Sequence, residues 1–479
     1  MRDGKKTKKK KIRSYPIIVL SVFYAVLFGA MLGYICYYSY SNRQTLMNNS
    51  YNTRQAILLA QNSRGKILSR NGEVLAYTEV AEDGTEKRVY PYEKEFAHVV
   101  GYSTNGKAGI EALANYYLIN TSIDLSEKVK LDASETKYPG DSIVSTLDVN
   151  LQEVAYNALS ARKGAIIVSN PKTGEILAMV SKPDFDPNNI AAEWDSLLAD
   201  KSTDAKLLNR ATQGMYPPGS TFKIVTSLAY LKDHPSDYAD YRFTCSGSFS
   251  VGSDSISCYH GQVHGNLDLF TSFAESCNSS FANIGMGISA KSFKSTLNDL
   301  MFGQELPLDV LYSKSSAVYS DNMSSSDIMQ LSIGQGTTSV SPIHMNMITC
   351  AVANGGVLMK PCFFTQVKSE EGKVVENISF EKYKRLMSSD ESAILRQMME
   401  QVVQTGTASK LKGLSYSAAG KTGSAEFNSQ SDSHAWFTGY APAEDPEICV
   451  TIIVENAGSG GSYAVPIAKR IFDAYFGVE

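Results

Sequence analysis

The stretch Tyr216-Pro217-Pro218-Gly219-Ser220-Thr221-Phe222-Lys223 decides how this chain is read. A serine on the first turn of a helix shares a face with the residue at i+3, so Ser220 and Lys223 belong together. Serine is a weak nucleophile until a neighbouring base takes its proton. A lysine becomes that base when a cleft desolvates it and a second cation lowers its pKa further. Gly219 lets the backbone turn sharply into the helix, and Pro217-Pro218 stiffens the approach.

Two companions lie far along the chain. Ser276-Cys277-Asn278 begins 56 residues after Ser220, and Lys421-Thr422-Gly423 begins 145 residues later still. Each short motif alone is common on solvated helix faces or at strand ends. Order and spacing give them weight, because the three together form the set used by serine acyl-transfer enzymes that react with penicillin-like rings.

The flanks extend the match: Asn209-Arg210-Ala211, Gly334-Gln335-Gly336, Gly164-Ala165-Ile166-Ile167-Val168 with Pro171-Lys172-Thr173-Gly174-Glu175, and Arg64-Gly65 with Ser69-Arg70-Asn71-Gly72. On these residues the chain resembles the class B penicillin-binding proteins, monofunctional peptidoglycan D,D-transpeptidases, from about Arg64 onward. The resemblance implies an α+β fold of the penicillin-binding/β-lactamase type. Its transpeptidase domain has a five-stranded antiparallel sheet flanked by helices, a helical subdomain supplies Ser276 and Asn278, and a short pedestal precedes it.

The resemblance also implies roles. Ser220 attacks the penultimate D-alanine carbonyl of a stem peptide ending D-Ala-D-Ala, and Lys223 takes its proton. Ser276 relays a proton to the leaving amine, between Lys223 and Lys421, while Asn278 holds substrate backbone and Lys223. Lys421 adds positive potential, and Thr422 and Ser424 present hydroxyls to the substrate carboxylate. Gly423 leaves the strand edge bare for substrate, and the backbone N–H groups of Ser220 and Ser424 form the oxyanion hole. Expected partners are stem peptides, β-lactam antibiotics and a membrane glycosyltransferase. No acid comparable to the deacylating glutamate of class A β-lactamases is evident. A D,D-carboxypeptidase or β-lactam-hydrolysing relative, and a wall-synthesis scaffold with weak catalysis, stand as alternatives.

The N-terminus reads independently of the family. Lys5, Lys6, Lys8, Lys9, Lys10, Lys11 and Arg13 precede an uncharged run from Ile17 to Cys36, enough for a helix of roughly 30 Å. Tyrosines 15, 34, 37, 38 and 40 sit near its ends as an interfacial belt, and the basic side belongs in the cytoplasm. Bulky Tyr37 and Tyr38 after a long core argue for an uncleaved single-pass anchor rather than a cleaved signal. The expected organisation is a cytoplasmic tail (1–14), a transmembrane anchor (15–38), a stalk and pedestal (39–149) and an extracytoplasmic transpeptidase domain (150–479). The region before residue 150 is too small for a glycosyltransferase domain.

The net charge of −4 over 479 residues offers no nucleic-acid surface. The chain has seven cysteines. Cys245 and Cys258 bracket a Gly/Ser-rich hairpin-like loop, and the resemblance allows them to be bonded or free according to the host's redox habits. Cys277 reads as a small packing residue. No Cys/His/Asp cluster has metal-site spacing, so neither a metal nor another cofactor is implied. Arg64 and Arg70 are expected to pair with acids, clamping the pedestal to the catalytic domain or transmitting the state of a membrane partner. Gly109-Ile110-Glu111 opens a short helix to Leu118, and the C-terminal segment reads as an amphipathic helix starting at Pro466. Lys163 to Val168 and Glu175 to Val180 read as a hairpin, and His434 to Tyr440 with Ile448 to Glu455 as another strand pair. The polar segment Glu426 to Ser433 beside the Lys421 strand is expected to shape the acceptor side.

Overall fold

The computed structural model describes residues 15–42, 46, 54–200, 202, 204–425 and 432–478. Tyr15–Ser41 is one 27-residue helix with every side chain exposed, and it is long and apolar enough to cross a membrane. In the stretch read as a stalk, Arg54–Gln61 is helical, and residues 43–45 and 47–53 lie outside the described residues.

The catalytic sheet has five antiparallel strands in the order Ala419–Ala425, His434–Ala441, Ile448–Val454, Gly164–Ser169, Ile176–Lys182. The run Ile448-Cys449-Val450-Thr451-Ile452-Ile453-Val454 is buried at every position, because helices cover both faces. Helices Gly460–Phe476 and Val149–Leu159 pack on one face, and Pro342–Ala353 packs on the other. The polar positions inside this core satisfy one another: Thr438 Oγ1 lies 2.7 Å from both Thr349 Oγ1 and Thr451 Oγ1.

Two expectations change. The C-terminal helix begins at Gly460, not at Pro466, which sits inside it. Ser459 caps the helix by accepting the Ser462 N–H at 3.2 Å, so a polar cap rather than proline sets its start. The short helix expected over 109–118 is two helices, Gly109–Leu113 and Asn115–Ile119.

A second sheet has the order Val374–Asn377, Phe364–Lys368, Ser142–Ser145, Ile67–Leu68, Val74–Val80, Glu86–Val89. It joins strands from before residue 150 to strands more than 200 residues later. Arg70 adds a link, its guanidinium 3.9 Å from Glu175 in the turn of the catalytic hairpin. Beside this sheet the Glu111 carboxylate is fully buried between Arg64 Nε at 2.5 Å and Arg88 Nε at 2.7 Å. Burial alone would raise the Glu111 pKa, but the two guanidinium groups outweigh it and hold the carboxyl below the usual range. Replacing Glu111 by alanine leaves two buried cations uncompensated. It is expected to cost about 3–5 kcal/mol, read as a lowered Tm in thermal unfolding.

Candidate active site

Ser220 lies on a 3₁₀ turn, Gly219–Phe222, which runs directly into the helix Lys223–Asp233. Residues i and i+3 eclipse in a 3₁₀ turn, which puts Ser220 over Lys223. Gly219 has φ +52°, and a Cβ there would stand 2.8 Å from the Ser424 carbonyl oxygen. Glycine therefore brings the nucleophile turn against the Lys421 strand. Trp436 Nε1 donates to the Pro217 carbonyl at 3.1 Å, and Tyr216 Oη donates to Glu455 at 2.7 Å, where Arg210 Nε also donates at 2.9 Å. Behind the turn, Gly334 accepts the Gly219 N–H at 2.9 Å, and a Cβ on it would come within 2.2 Å of the Gly219 oxygen. The Gly334-Gln335-Gly336 motif was visible in the sequence; its work, backing the Ser220 turn, was not.

Both motif lysines are fully buried beneath the cleft floor and meet at one hydroxyl. Lys421 Nζ is 2.9 Å from Ser276 Oγ, and Lys223 Nζ is 3.3 Å from the same atom. Lys223 also donates to Asn278 Oδ1 at 2.9 Å and to the Ser276 carbonyl at 2.6 Å. Ser276 has φ +57°, a strained value for a residue with a side chain. Burial pushes the Lys223 pKa down to about 7. Burial, then the charge of Lys223, pushes Lys421 well below the ordinary lysine range. Two ammonium ions are not favoured here; one proton shared through Ser276 is. Among the described residues no hydrogen bond joins Ser220 Oγ to Lys223, whose N–H groups point to Ser276 and Asn278. Such contacts commonly tighten only with substrate in place.

The strand Ala419–Ala425 is a sheet edge, and its alternation sorts the third motif. Thr422 and Ser424 line the cleft, with Thr422 Oγ1 hydrogen-bonded to Thr407 Oγ1. Gly423 does not leave the edge bare in the sense expected. Its missing side chain would point inward, 3.0 Å from Trp436 Cβ and 3.1 Å from Thr221 Cγ2, so glycine here admits the nucleophile turn. The cleft holds about 740 Å³ and is also lined by Ser220, Ser276 and Asn278. Glu275 lines it too, a carboxylate that sequence reasoning did not single out because nothing in its local pattern marks it. The polar segment expected to shape the acceptor side, 426–433, lies outside the described residues up to 431.

The spacing argument against a metal cluster does not survive folding. Cys245, Cys258, His264 and Cys277 converge, with their ligand atoms all within 4.8 Å of one another. Cys245 and Cys258 are thiols 3.7 Å apart.

Comparison with known proteins places this geometry. Residues 164–473 match the family model of the penicillin binding protein transpeptidase domain, and residues 64–143 match that of the penicillin binding protein A dimerisation domain. Peptidoglycan D,D-transpeptidase PbpA of Mycolicibacterium smegmatis is 28% identical over 458 residues, covering 88% of this chain and 91% of that protein. Peptidoglycan D,D-transpeptidase MrdA of Acinetobacter baumannii is 30% identical over 445 residues, covering 81% and 65% respectively. Among solved structures, the D,D-transpeptidase domain of a peptidoglycan glycosyltransferase from Eggerthella lenta aligns with TM-score 0.76 at 29% identity, over 87% of this chain and 99% of that one. Penicillin-binding protein A from M. tuberculosis, as its ceftriaxone acyl-enzyme complex, gives TM-score 0.78 at 25% identity, over 86% and 98%. With its buried lysine pair, its edge strand and a family match across most of its length, the chain belongs to the penicillin-binding protein transpeptidase family.

Proposed function

We propose that this chain is a membrane-anchored peptidoglycan D,D-transpeptidase that is acylated, and thereby inhibited, by β-lactams. The observation that carries the reading is the single hydroxyl of Ser276 shared by Lys223 and Lys421 beside Ser220. Ser220 Oγ attacks the carbonyl of the penultimate D-alanine while its proton passes to the neutral Lys223 amine. The oxyanion is held by the N–H groups of Ser220 and Ser424, a reading supported by the close approach of Gly219 to the Ser424 carbonyl. As the C–N bond breaks, Ser276 passes a proton to the departing D-alanine amine, and Lys223, carrying the proton taken from Ser220, replenishes it across their 3.3 Å contact. Thr422 and Ser424 receive the substrate carboxylate, and Asn278 orients substrate backbone. An amine of a second stem peptide then attacks the ester carbonyl, its proton passing by way of Lys223 to Ser220 Oγ as the C–O bond breaks and the cross-link forms.

The helix Tyr15–Ser41 supports an anchor with residues 1–14 in the cytoplasm, a pedestal within 39–149 and the transpeptidase domain, 150–479, outside. In that place a membrane glycosyltransferase is the natural partner, since it supplies the glycan whose stems are joined. The second reading, a D,D-carboxypeptidase, is favoured by one observation, the Glu275 carboxylate in the cleft, which would serve to activate water.

The test is product partition. Incubation with a D-Ala-D-Ala stem peptide and an amine acceptor is expected to give coupled peptide as the main product. Free D-alanine without coupling, abolished by Glu275→Gln, would move the assignment to the carboxypeptidase. No turnover in the presence of normal partner binding would move it to a scaffold.

A further inference from the structure

We propose that Cys245, Cys258, His264 and Cys277 form a zinc site that ties the Ser276 turn to the hairpin beside the cleft. The four residues stand at the ends of four elements. Cys245 ends the strand Phe243–Cys245, which pairs with Gly265–Leu267 so that Cys245 faces Gly265, and His264 immediately precedes that partner strand. Cys258 follows the hairpin strand Asp254–Ser257, and Cys277 caps the helix Asn278–Gly287.

The distances fit one tetrahedral ion. With Zn–S near 2.3 Å and Zn–N near 2.05 Å, tetrahedral geometry demands about 3.8 Å between sulfurs and about 3.5 Å between sulfur and nitrogen. The observed separations are 3.7 Å for Cys245–Cys258, 3.6 Å for Cys258–Cys277 and 3.4 Å for Cys245 Sγ to His264 Nδ1. A disulfide uses two of three sulfurs, and Cys258 is equally close to both others, so oxidation would strand one buried thiol. A tetrahedral ion uses all three and the imidazole.

The surroundings suit thiolates. The Gly247 N–H donates to Cys245 Sγ at 3.4 Å, and the Ser280 N–H, in the first turn of a ten-residue helix, donates to Cys277 Sγ at 3.3 Å. Ser279 Oγ lies 3.0 Å from Cys258 Sγ. Each sulfur thus has a polar neighbour beyond the ligand set, the outer support that fixes metal ligands. All three cysteines are buried and pack with Leu267 and Phe243, while Cys258 and His264 also border the cleft. A closed set of three thiolates and one imidazole is a structural zinc set.

The consequence is local. Cys258 follows Ser257, whose carbonyl accepts from Asn278 Nδ2 at 3.2 Å, and Cys277 separates Ser276 from Asn278. The ion would therefore brace, from its flank, the turn on which both motif lysines depend.

The experiment uses full-length protein in detergent, purified without added chelator. One zinc per chain by elemental analysis is expected. So is protection of three thiols from alkylation, lost on chelation. Replacing the ion by cobalt is expected to give the ligand-field bands of a tetrahedral centre and a thiolate-to-cobalt charge-transfer band. His264→Ala, at a half-exposed position, and Cys245→Ser are each expected to weaken zinc affinity by roughly 100-fold or more, beyond the range for outer-shell changes. A disulfide between any two of the three cysteines in zinc-replete protein, a different ion, or a featureless cobalt spectrum of the folded wild type would overturn the proposal. None of these readings needs turnover, so the transpeptidase assignment stands or falls separately.

Discussion

Replacing Ser220 by alanine is expected to abolish the penicillin adduct and lower acylation on the order of 10⁴-fold or more, about 5.5 kcal/mol of transition-state stabilisation. Removing a nucleophile deletes the covalent path itself, whereas removing a donor only raises its barrier. Stability should hardly change. Ser220 is half-buried, and among the described residues its hydroxyl makes no hydrogen bond that folding relies on, so a shift within about 0.5 kcal/mol is expected. Mass spectrometry of the penicillin-treated variant is the check. An adduct surviving at another residue would remove Ser220 from the centre of the mechanism.

The second large effect falls on Lys223. A buried amine whose pKa lies at about 7 is largely neutral above that pH and protonated below it. Acylation should therefore climb as pH rises through about 7 and then level, with the apparent value belonging to the coupled pair. Lys223→Met keeps the chain length without the base, and is expected to lower acylation by about 10²–10⁴-fold and to erase that limb. Stability carries the same sign. The unfolded lysine keeps its proton up to about 10.4, so between about pH 7 and 10 the native state binds fewer protons and stability rises with pH. A flat rate profile across pH 6–8, roughly one unit either side of that pKa, would contradict the role given to Lys223.

Local chemistry was readable where one segment carries the whole signal. The Ser220-to-Lys223 turn, the hairpin Gly164–Ser169 with Ile176–Lys182, and the buried strands 434–441 and 448–454 follow from helical spacing, turn residues and continuous apolar runs. The C-terminal helix misled because proline is welcome at a helix start, yet the Ser459 cap and tertiary packing set the boundary six residues earlier. Gly423 misled because its position in the motif suggested substrate access, while the strand's alternation turns its missing side chain toward Thr221.

By itself, then, the sequence determined the apolar N-terminal helix, the strands of the five-stranded sheet and the three short motifs that carry Ser220, Lys223 and Lys421. Those depend on neighbours within a few residues, where periodicity and residue type are enough. Only the tertiary structure decided that Phe364–Lys368 completes the pedestal's sheet, that Gly334 backs the Ser220 turn, and that three cysteines and His264 meet beside Ser276. These are contacts between residues tens to hundreds of positions apart. Chain closure over such distances leaves no periodic trace in the sequence, because it is fixed by how buried surfaces fit rather than by local preference.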